Sequence, residues 1–226
     1  MLVSVLPSHA FTFGMSHIEG ITFAADSGQL YLPVDEAVKK LHWPAQRDEV
    51  GRLVTLNGMP VATGSLRQLT DGTELVSTAD LAKAGAAVTP PAADGSVTVA
   101  NGWRRFILKP VAQHVMIDLG KQRLEGWQGE RRVLVTRISS GKNGRTPAGE
   151  FKAGPYRAKM HRSSLYNDAP MPWSVQINGN IFVHGFSSVP AYPASHGCIR
   201  VPLTEGNPAR FFYEWVQTGT PVSVVK

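Results

Sequence analysis

The chain has 226 residues, which allows one large domain or two small ones, and we expect two. Hydrophobic residues make up 42% and charged residues 18%, a balance that builds a buried core and excludes an intrinsically disordered chain. The net charge of +6 favours polyanionic surroundings: nucleic acid, anionic lipid headgroups or acidic wall polymers. The alternative is that evenly spread Lys and Arg only keep the protein in solution. The sequence has no long basic run, which favours that alternative and argues against nucleic-acid binding.

The first ten residues are mostly apolar, and Ser8 and Ala10 are the small residues expected at the −3 and −1 positions of a signal-peptidase site. The basic segment that begins an export signal is missing. Residues 1–25 therefore hold either the remnant of an export signal or a first strand. We find no apolar stretch of the roughly 18 to 20 residues that a membrane-spanning helix needs, and we expect no integral membrane segment.

Residues 26–88 contain an internal repeat that aligns Gly28 with Gly72. Each half predicts a strand, a turn and a short helix, the helices at 35–41 and 79–85. Between the halves, residues 51–57 predict a strand that enters a tight turn at Asn57-Gly58. With the run 54–58 after Trp43, this pattern resembles the stalk domain named after the N-terminus of copper amine oxidases. The resemblance implies a small α+β domain that binds or positions, without a copper site; a packing domain with no ligand of its own is the alternative.

Two prolines and small residues at 88–94 predict a linker, so we interpret residues 89–112 as a linker and an entry strand. Beyond it, β-rich runs at 115–119, 131–136 and 181–184 are separated by glycine-containing turns. One helix is predicted at 208–217 and a last strand at 222–225. The expected fold class is α+β, mainly β, with residues 113–226 forming a β-sandwich domain.

The chemistry-bearing residues lie between His184 and Arg200. Cys198 is the only cysteine, so no disulfide forms within the chain. A thiol with an ordinary pKa of about 8.5 needs a neighbouring imidazole or cation to ionise at neutral pH, and His184, His196 and Arg200 supply these. A hairpin between 184 and 198 would bring base and thiol together. Backbone N–H groups near Gly197 and Cys198 are expected to hold an oxyanion.

Two other interpretations of these residues stay open. A lone cysteine is more often an inert, buried side chain than a nucleophile, although its context here argues against that. His184, His196 and Cys198 are also good zinc ligands, but no fourth ligand and no paired-ligand motif accompany them. We therefore expect no metal and no cofactor.

The segment Ser195-His196-Gly197-Cys198-Ile199-Arg200 resembles the catalytic core of L,D-transpeptidases, the YkuD-type domain. The resemblance covers residues 113–226. It includes the further motifs at 117–119, 121–124, 140–142, 146–151, 171–173 and 219–222. For Thr146, Pro147 and Gly149 we prefer turn formation to a role in the site.

The resemblance implies that Cys198 attacks the third residue of a peptidoglycan stem peptide and expels the terminal D-alanine. An amine of a neighbouring stem then takes the acyl group, which gives a 3→3 cross-link, and a carbapenem should acylate the same thiol. His184 is the implied base, with its ring oriented by a backbone carbonyl such as that of Gly185, and His196 shapes the pocket or steadies the thiolate. The implied substrate-binding residues are Ser195, Gly197, Arg200, Gly185, Tyr166, Met171 and Trp173.

By the same resemblance the protein is exported to the periplasm or cell wall and acts in wall biogenesis and cell shape. An L,D-carboxypeptidase of the same fold, with water in place of the amine, and a non-catalytic wall-binding protein are the alternatives. A papain-like peptidase is disfavoured because its Gln and Cys-Trp context is absent. Two features depart from many relatives: the loop 185–194 is short, and Arg200 stands where some relatives have asparagine.

Overall fold

The computed structural model describes residues 16–62 and 64–226, so the export-signal interpretation of residues 1–10 lies outside the described residues. The first part of the chain forms twelve elements. They are β1 (Ser16–Gly20), β2 (Tyr31–Pro33), α1 (Val34–Leu41), β3 (Ala45–Arg47), β4 (Leu53–Leu56), β5 (Met59–Pro60), β6 (Arg67–Gln68), β7 (Glu74–Ser77), α2 (Thr78–Lys83), β8 (Ala87–Val88), β9 (Val97–Asn101) and β10 (Arg104–Pro110). We call residues 16–110 the N-terminal unit.

The two strand–helix pairs predicted from the internal repeat are present. The strands β2 and β7 precede α1 and α2, and they pair antiparallel with Leu32 opposite Val76. The Ser77 hydroxyl caps α2 by accepting a 3.0 Å hydrogen bond from the Asp80 N–H. The predicted turn lies at Asn57 and Gly58, whose φ angles of 51° and 78° suit a two-residue hairpin.

Residues 89–112 differ from the linker and entry strand expected there. They contain the β9–β10 hairpin, which joins a four-stranded sheet in the order β1-β10-β9-β8. Val99, Phe106 and Leu108 are fully buried and pack in the same hydrophobic core as Leu32 and Leu41. The prolines that suggested a linker lie in the turn between β8 and β9, and the alternation of apolar residues after them is the strand signal that was missed.

The rest of the chain, residues 111–226, forms what we call the C-terminal unit. Its elements are β11 (Gln113–Asp118), β12 (Arg123–Gln128), β13 (Arg131–Arg137), β14 (Gly149–Lys152), β15 (Arg157–Ser163), β16 (Ala169–Asn178), β17 (Ile181–Phe186), β18 (Ile199–Pro202), α3 (Pro208–Trp215) and β19 (Pro221–Val225). One sheet has the order β13-β12-β11-β19-β14 and the other β15-β16-β17-β18. Side chains of both sheets share one core with α3, as the sandwich prediction requires.

The helix α3 forms because its sequence supplies both a cap and an apolar face. The Asn207 side chain accepts a 3.0 Å hydrogen bond from the Arg210 N–H, and Pro208 occupies the first helical turn. Phe212 and Trp215 are fully buried against the sheets. A Cβ atom at Gly126 of β12 would lie 2.7 Å from the Trp215 ring, so this strand needs glycine where the helix packs.

The two units meet through buried polar side chains. Gln128 is 0% exposed, and its amide bonds to both Thr22 of the N-terminal unit and the Trp215 indole. Nearby, Arg67 forms ion pairs with Asp26 at 2.6 Å and with Glu214 of α3 at 2.8 Å. These contacts fix the N-terminal unit against the C-terminal unit. Within the part of the chain that the structure describes, no helix is long and apolar enough to cross a membrane.

Candidate active site

The site is built where the start of β18 lies beside the middle of β17. These strands are parallel, with Val183 opposite Ile199 and His184 opposite Arg200, and Cys198 immediately precedes β18. The hairpin expected between His184 and Cys198 is therefore wrong, because a parallel pair needs a crossover connection, here residues 187–198. The parallel register still places the imidazole, the thiol and the guanidinium on neighbouring positions.

His184 is held as a neutral imidazole with one defined tautomer. The ring is 4% exposed, and its Nδ1 lies 2.9 Å from the Gly185 carbonyl oxygen, the kind of contact that the resemblance implies. Because a carbonyl only accepts, Nδ1 carries the proton and Nε2 keeps a free electron pair. Burial lowers the pKa of His184 to about 4, and the Arg200 charge also lowers it. A Cβ at Gly185 would lie 2.4 Å from a methyl group of Leu203 and 3.2 Å from the Pro172 carbonyl oxygen, so a larger residue would displace the Leu203 side chain.

Cys198 is half-buried, with its Sγ 3.5 Å from the Asn180 carbonyl oxygen. Burial raises the pKa of the thiol, while the positive charge of Arg200 acts in the opposite direction. The sequence predicted that neighbouring imidazoles and the cation would ionise the thiol at neutral pH. The structure differs, because burial of the thiol outweighs the opposing effects of a Phe182 backbone hydrogen bond and of the Arg200 charge, so its pKa is raised and not lowered.

A small pocket of about 60 Å³ opens over these groups. Seven of the predicted site residues line it: His184, Cys198, His196, Ser195, Arg200, Tyr166 and Met171. On one wall the exposed His196 ring stacks on Tyr166, with centroids 4.4 Å apart and planes 18° apart. The Arg200 guanidinium lies 4.1 Å from the centroid of the Phe186 ring. The pocket thus combines aromatic walls with one cation next to the thiol.

The loop that carries Cys198 is organised by Ser195. Its hydroxyl donates a 2.5 Å hydrogen bond to the Cys198 carbonyl oxygen and accepts a 3.0 Å bond from the Gly197 N–H. The Gly197 N–H is therefore engaged within the loop and not free to hold an oxyanion, which leaves the Cys198 N–H of the two expected donors. Gly197 has φ 146°, and a Cβ there would lie 2.9 Å from Ile181, so the position requires glycine.

Trp173, expected to line the donor groove, lies elsewhere. Its ring packs at 5.5 Å from Tyr213 and 5.6 Å from the Arg210 guanidinium, both on α3. Its φ of 57° interrupts the side-chain alternation of β16, which explains why Met171 faces the pocket and Trp173 faces the helix.

Thr146 is a positioning residue that the sequence interpretation assigned to a turn alone. It is 3% exposed, and its hydroxyl accepts a 2.7 Å hydrogen bond from the Gly141 N–H and donates a 2.6 Å bond to the Gly197 carbonyl oxygen. The side chain thereby links the loop that carries Cys198 to the chain segment that follows β13. Its place in the motif at 146–151 was the available signal.

Gln122 supports the same loop from one layer further away. Its amide oxygen accepts a 2.8 Å hydrogen bond from the Ser140 N–H, and its amide nitrogen donates a 2.8 Å bond to the Ser140 hydroxyl. The Ser140 carbonyl in turn accepts a 2.9 Å bond from the Ser195 N–H. A buried glutamine with a positive φ of 48° is a costly feature, and this network accounts for it.

The possible zinc ligands do not assemble into a metal site. In residues 16–62 and 64–226, no three or more His, Cys, Asp or Glu side chains are placed to hold a metal ion. The His184 Nδ1 faces the Gly185 carbonyl, and the His196 ring is stacked on Tyr166.

Comparison with known proteins identifies the family. The L,D-transpeptidase catalytic domain, YkuD, matches residues 112–224, half of the chain. A search of curated proteins found no match. An L,D-transpeptidase structure from Xylanimonas cellulosilytica is 33% identical with a TM-score of 0.44, over 51% of this chain and 61% of that one. One from Stackebrandtia nassauensis is 23% identical with a TM-score of 0.46, over 51% and 56%.

A third structure, of an L,D-transpeptidase from Mycobacterium tuberculosis, is 13% identical with a TM-score of 0.47 and covers 94% of both chains. The chain matches less than two thirds of the length of the Xylanimonas and Stackebrandtia proteins. The family match spans the strands, the helix α3 and the pocket described above. The chain belongs to the L,D-transpeptidase catalytic domain family.

Proposed function

We propose that the protein is a peptidoglycan L,D-transpeptidase that works through an acyl-enzyme on Cys198. The donor is a tetrapeptide stem that loses its terminal D-alanine, and the acceptor is an amine of a neighbouring stem, which gives a 3→3 cross-link. The observation that carries this proposal is the parallel register of β17 and β18, which places His184, Cys198 and Arg200 around one pocket. Membership of the family supports it.

The protonation states of the site favour a proton transfer that accompanies bond formation. The Cys198 thiol has a raised pKa and His184 is a weak base, so a stable thiolate–imidazolium pair is not expected before the donor binds. As the sulfur bonds to the donor carbonyl carbon, its proton passes to Nε2 of His184. The imidazolium then gives this proton to the departing D-alanine amine, which leaves a thioester on Cys198.

The second half of the reaction uses the same groups in reverse. The acceptor amine attacks the thioester carbonyl, His184 takes one amine proton, and the Cys198 thiolate leaves and recovers that proton. An amide forms and the thioester breaks, so the enzyme returns to its starting state. The Gly185 carbonyl keeps Nδ1 protonated throughout, and this holds the ring in the orientation that both steps need.

Arg200 gives the pocket its preference for a carboxylate. It is the cation that lies among the pocket-lining residues, and burial next to the Phe186 ring strengthens its attraction for an anion. The terminal carboxylate of the donor stem is such an anion. The Tyr166–His196 stack forms an aromatic wall of the same pocket, against which the stem peptide packs.

The proposed reaction also implies a location. Stem peptides of the wall lie outside the cytoplasm, so the enzyme is exported to the periplasm or cell wall and contributes to wall biogenesis and cell shape. The apolar start of the sequence, with small residues at Ser8 and Ala10, supports export.

Incubation of the purified protein with a disaccharide tetrapeptide muropeptide, followed by mass spectrometry, tests the proposal. Transfer gives cross-linked dimers and free D-alanine, whereas hydrolysis gives disaccharide tripeptides and identifies an L,D-carboxypeptidase. The Cys198→Ala variant is the control and should give neither product. Unchanged substrate with the parent protein, or equal products from Cys198→Ala, would contradict the proposal.

A further inference from the structure

One end of the N-terminal unit exposes a tryptophan among basic side chains. Trp103 lies in the turn of the β9–β10 hairpin and is 78% exposed. The Arg104 guanidinium lies 4.4 Å from the centroid of its ring, and Arg105 is exposed next to it. A large indole left in water at the end of a hairpin contributes no packing to the fold.

The end of α1 lies beside this turn and adds further positive charge. The Asn101 side chain donates a 3.3 Å hydrogen bond to the carbonyl oxygen of Leu41, the last residue of α1. The last turn of the helix carries Lys39 and Lys40, both exposed. We define the basic tip by the following residues: Lys39, Lys40, Trp103, Arg104 and Arg105.

The charges of the basic tip are not neutralised by neighbouring carboxylates. Among the described residues, none of its four cations forms an ion pair, and the segments 37–46 and 95–107 contain no Asp or Glu. The acidic residues of α1 lie in its first turn and are already paired, Asp35 with Arg47 and Glu36 with Arg131. The tip therefore presents four unpaired cations around one exposed aromatic ring.

The chain also enters the structure at this end. The strand β1 begins at Ser16, which lies opposite Phe106, two positions from Arg104, and β1 runs parallel to β10. The residues that precede it, 1–15, include no Asp or Glu and therefore add no carboxylate that could pair with the basic tip.

We propose that the basic tip docks the protein on a membrane surface that contains anionic lipids. Arg and Lys near such a surface are attracted to lipid phosphates, and an exposed indole is favoured at the level of the headgroups. The basic tip combines both attractions, because its four cations lie around the exposed Trp103 indole. The exposed Trp103 favours a lipid surface over a dissolved polyanion, which would be bound by the cations alone. This docking is independent of the proposed catalytic function.

Co-sedimentation of the full chain with vesicles tests the proposal at fixed ionic strength. One set of vesicles contains phosphatidylcholine with about 30 mol% phosphatidylglycerol, and the other contains phosphatidylcholine alone. Each surface cation contributes about 1 kcal/mol, so Arg104→Ser with Arg105→Ser should lower the partition coefficient about 30-fold. Trp103→Ser should lower it several-fold. The matched control is Lys152→Ser with Lys159→Ser, which removes two exposed cations of the C-terminal unit. This control should change the partition coefficient less than threefold.

Four results would overturn the proposal. They are no binding to the anionic vesicles, equal binding to neutral vesicles, unchanged binding of the Arg104→Ser, Arg105→Ser variant, and an equal loss in the control variant. Circular dichroism of each variant shows whether it is folded. Binding to soluble polyphosphate at the same concentration of negative charge is measured as a further comparison. If it binds as tightly as the vesicles and Trp103→Ser has no effect on either, the tip is a general polyanion site and the lipid assignment is wrong.

Discussion

At the scale of single residues, the site differs from a preformed thiolate–imidazolium pair. Cys198 and His184 were predictable from the sequence because their spacing and neighbours form a recognisable motif. Their protonation states were not predictable, because burial lowers the pKa of His184 and raises that of Cys198. Burial depends on residues that are far away in the chain. The Gly197 N–H was likewise misjudged, since the partner that engages it is the Ser195 hydroxyl.

Burial of neutral His184 should make stability depend on pH. Its pKa of about 4 in the folded protein lies below the ordinary value of 6.5, so the unfolded chain binds more protons between these values. The free energy of unfolding should therefore fall by about 3 kcal/mol as pH drops from about 6.5 to 4 through this residue alone. Urea unfolding of the parent and of His184→Gln measures this. The His184→Gln variant should lose this contribution to the pH dependence of the unfolding free energy. The control variant His196→Gln, which changes an exposed histidine, should keep it. Equal pH profiles for the parent and His184→Gln would refute the assignment.

Arg200 should be the cation that restrains the thiol pKa. Because its charge opposes the effect of burial on Cys198, Arg200→Gln should raise the thiol pKa further. The rate of alkylation of Cys198 by iodoacetamide at pH 8 should fall, and its midpoint should move to higher pH. Arg52→Gln, which removes an exposed charge of the N-terminal unit, serves as the control and should leave the profile unchanged. A faster reaction in Arg200→Gln is the result that this account does not allow.

At the scale of elements, the strands and the helix of the C-terminal unit were largely predictable, but the pairing of its strands was not. The β-rich run at 115–119, the helix predicted at 208–217 and the last strand predicted at 222–225 are local signals, and β11, α3 and β19 confirm them. The parallel contact of β17 with β18 is non-local, so a loop between two short strands was interpreted as a hairpin. Thr146 was missed for the same reason, because its partner Gly197 is distant in the chain.

Thr146 should matter for catalysis through the loop that it holds. In Thr146→Val the Gly141 N–H and the Gly197 carbonyl lose their buried partner, which should cost about 2 kcal/mol of stability. The rate of Cys198 acylation should fall at least tenfold, because the loop is no longer fixed. Thr146→Ser keeps the hydroxyl and should restore most of both. If Thr146→Val acylates at the parental rate, Thr146 has no positioning role.

At the scale of the whole molecule, the N-terminal unit is joined to the C-terminal unit by a buried polar network. Gln113 bonds to Thr22 and to the Trp215 carbonyl, and Gln128 bonds to Thr22 and the Trp215 indole. The sequence placed a linker before this point, because prolines near residue 90 suggested one. Buried glutamines in a strand give no local signal of what they bind, so the junction was not predictable.

Gln128→Leu should show how strongly the units are joined. The substitution leaves the Trp215 indole N–H and the Thr22 N–H without their acceptor in a buried place, which should cost about 3 kcal/mol or more. Urea unfolding monitored by tryptophan fluorescence measures the loss. Gln68→Leu changes an exposed glutamine in the same way and should have an effect below about 0.5 kcal/mol. Equal stabilities of the two variants would contradict the described network.

The central claim is that Cys198 is the nucleophile of an acyl transfer, and intact-protein mass spectrometry after incubation with a carbapenem tests it most directly. We predict a mass increase of one acyl group per chain, which peptide mapping places on Cys198 and which Cys198→Ala lacks. The His184→Gln variant should acquire the adduct much more slowly than the parent. An unmodified parent protein, or an adduct that persists in Cys198→Ala, would contradict the claim.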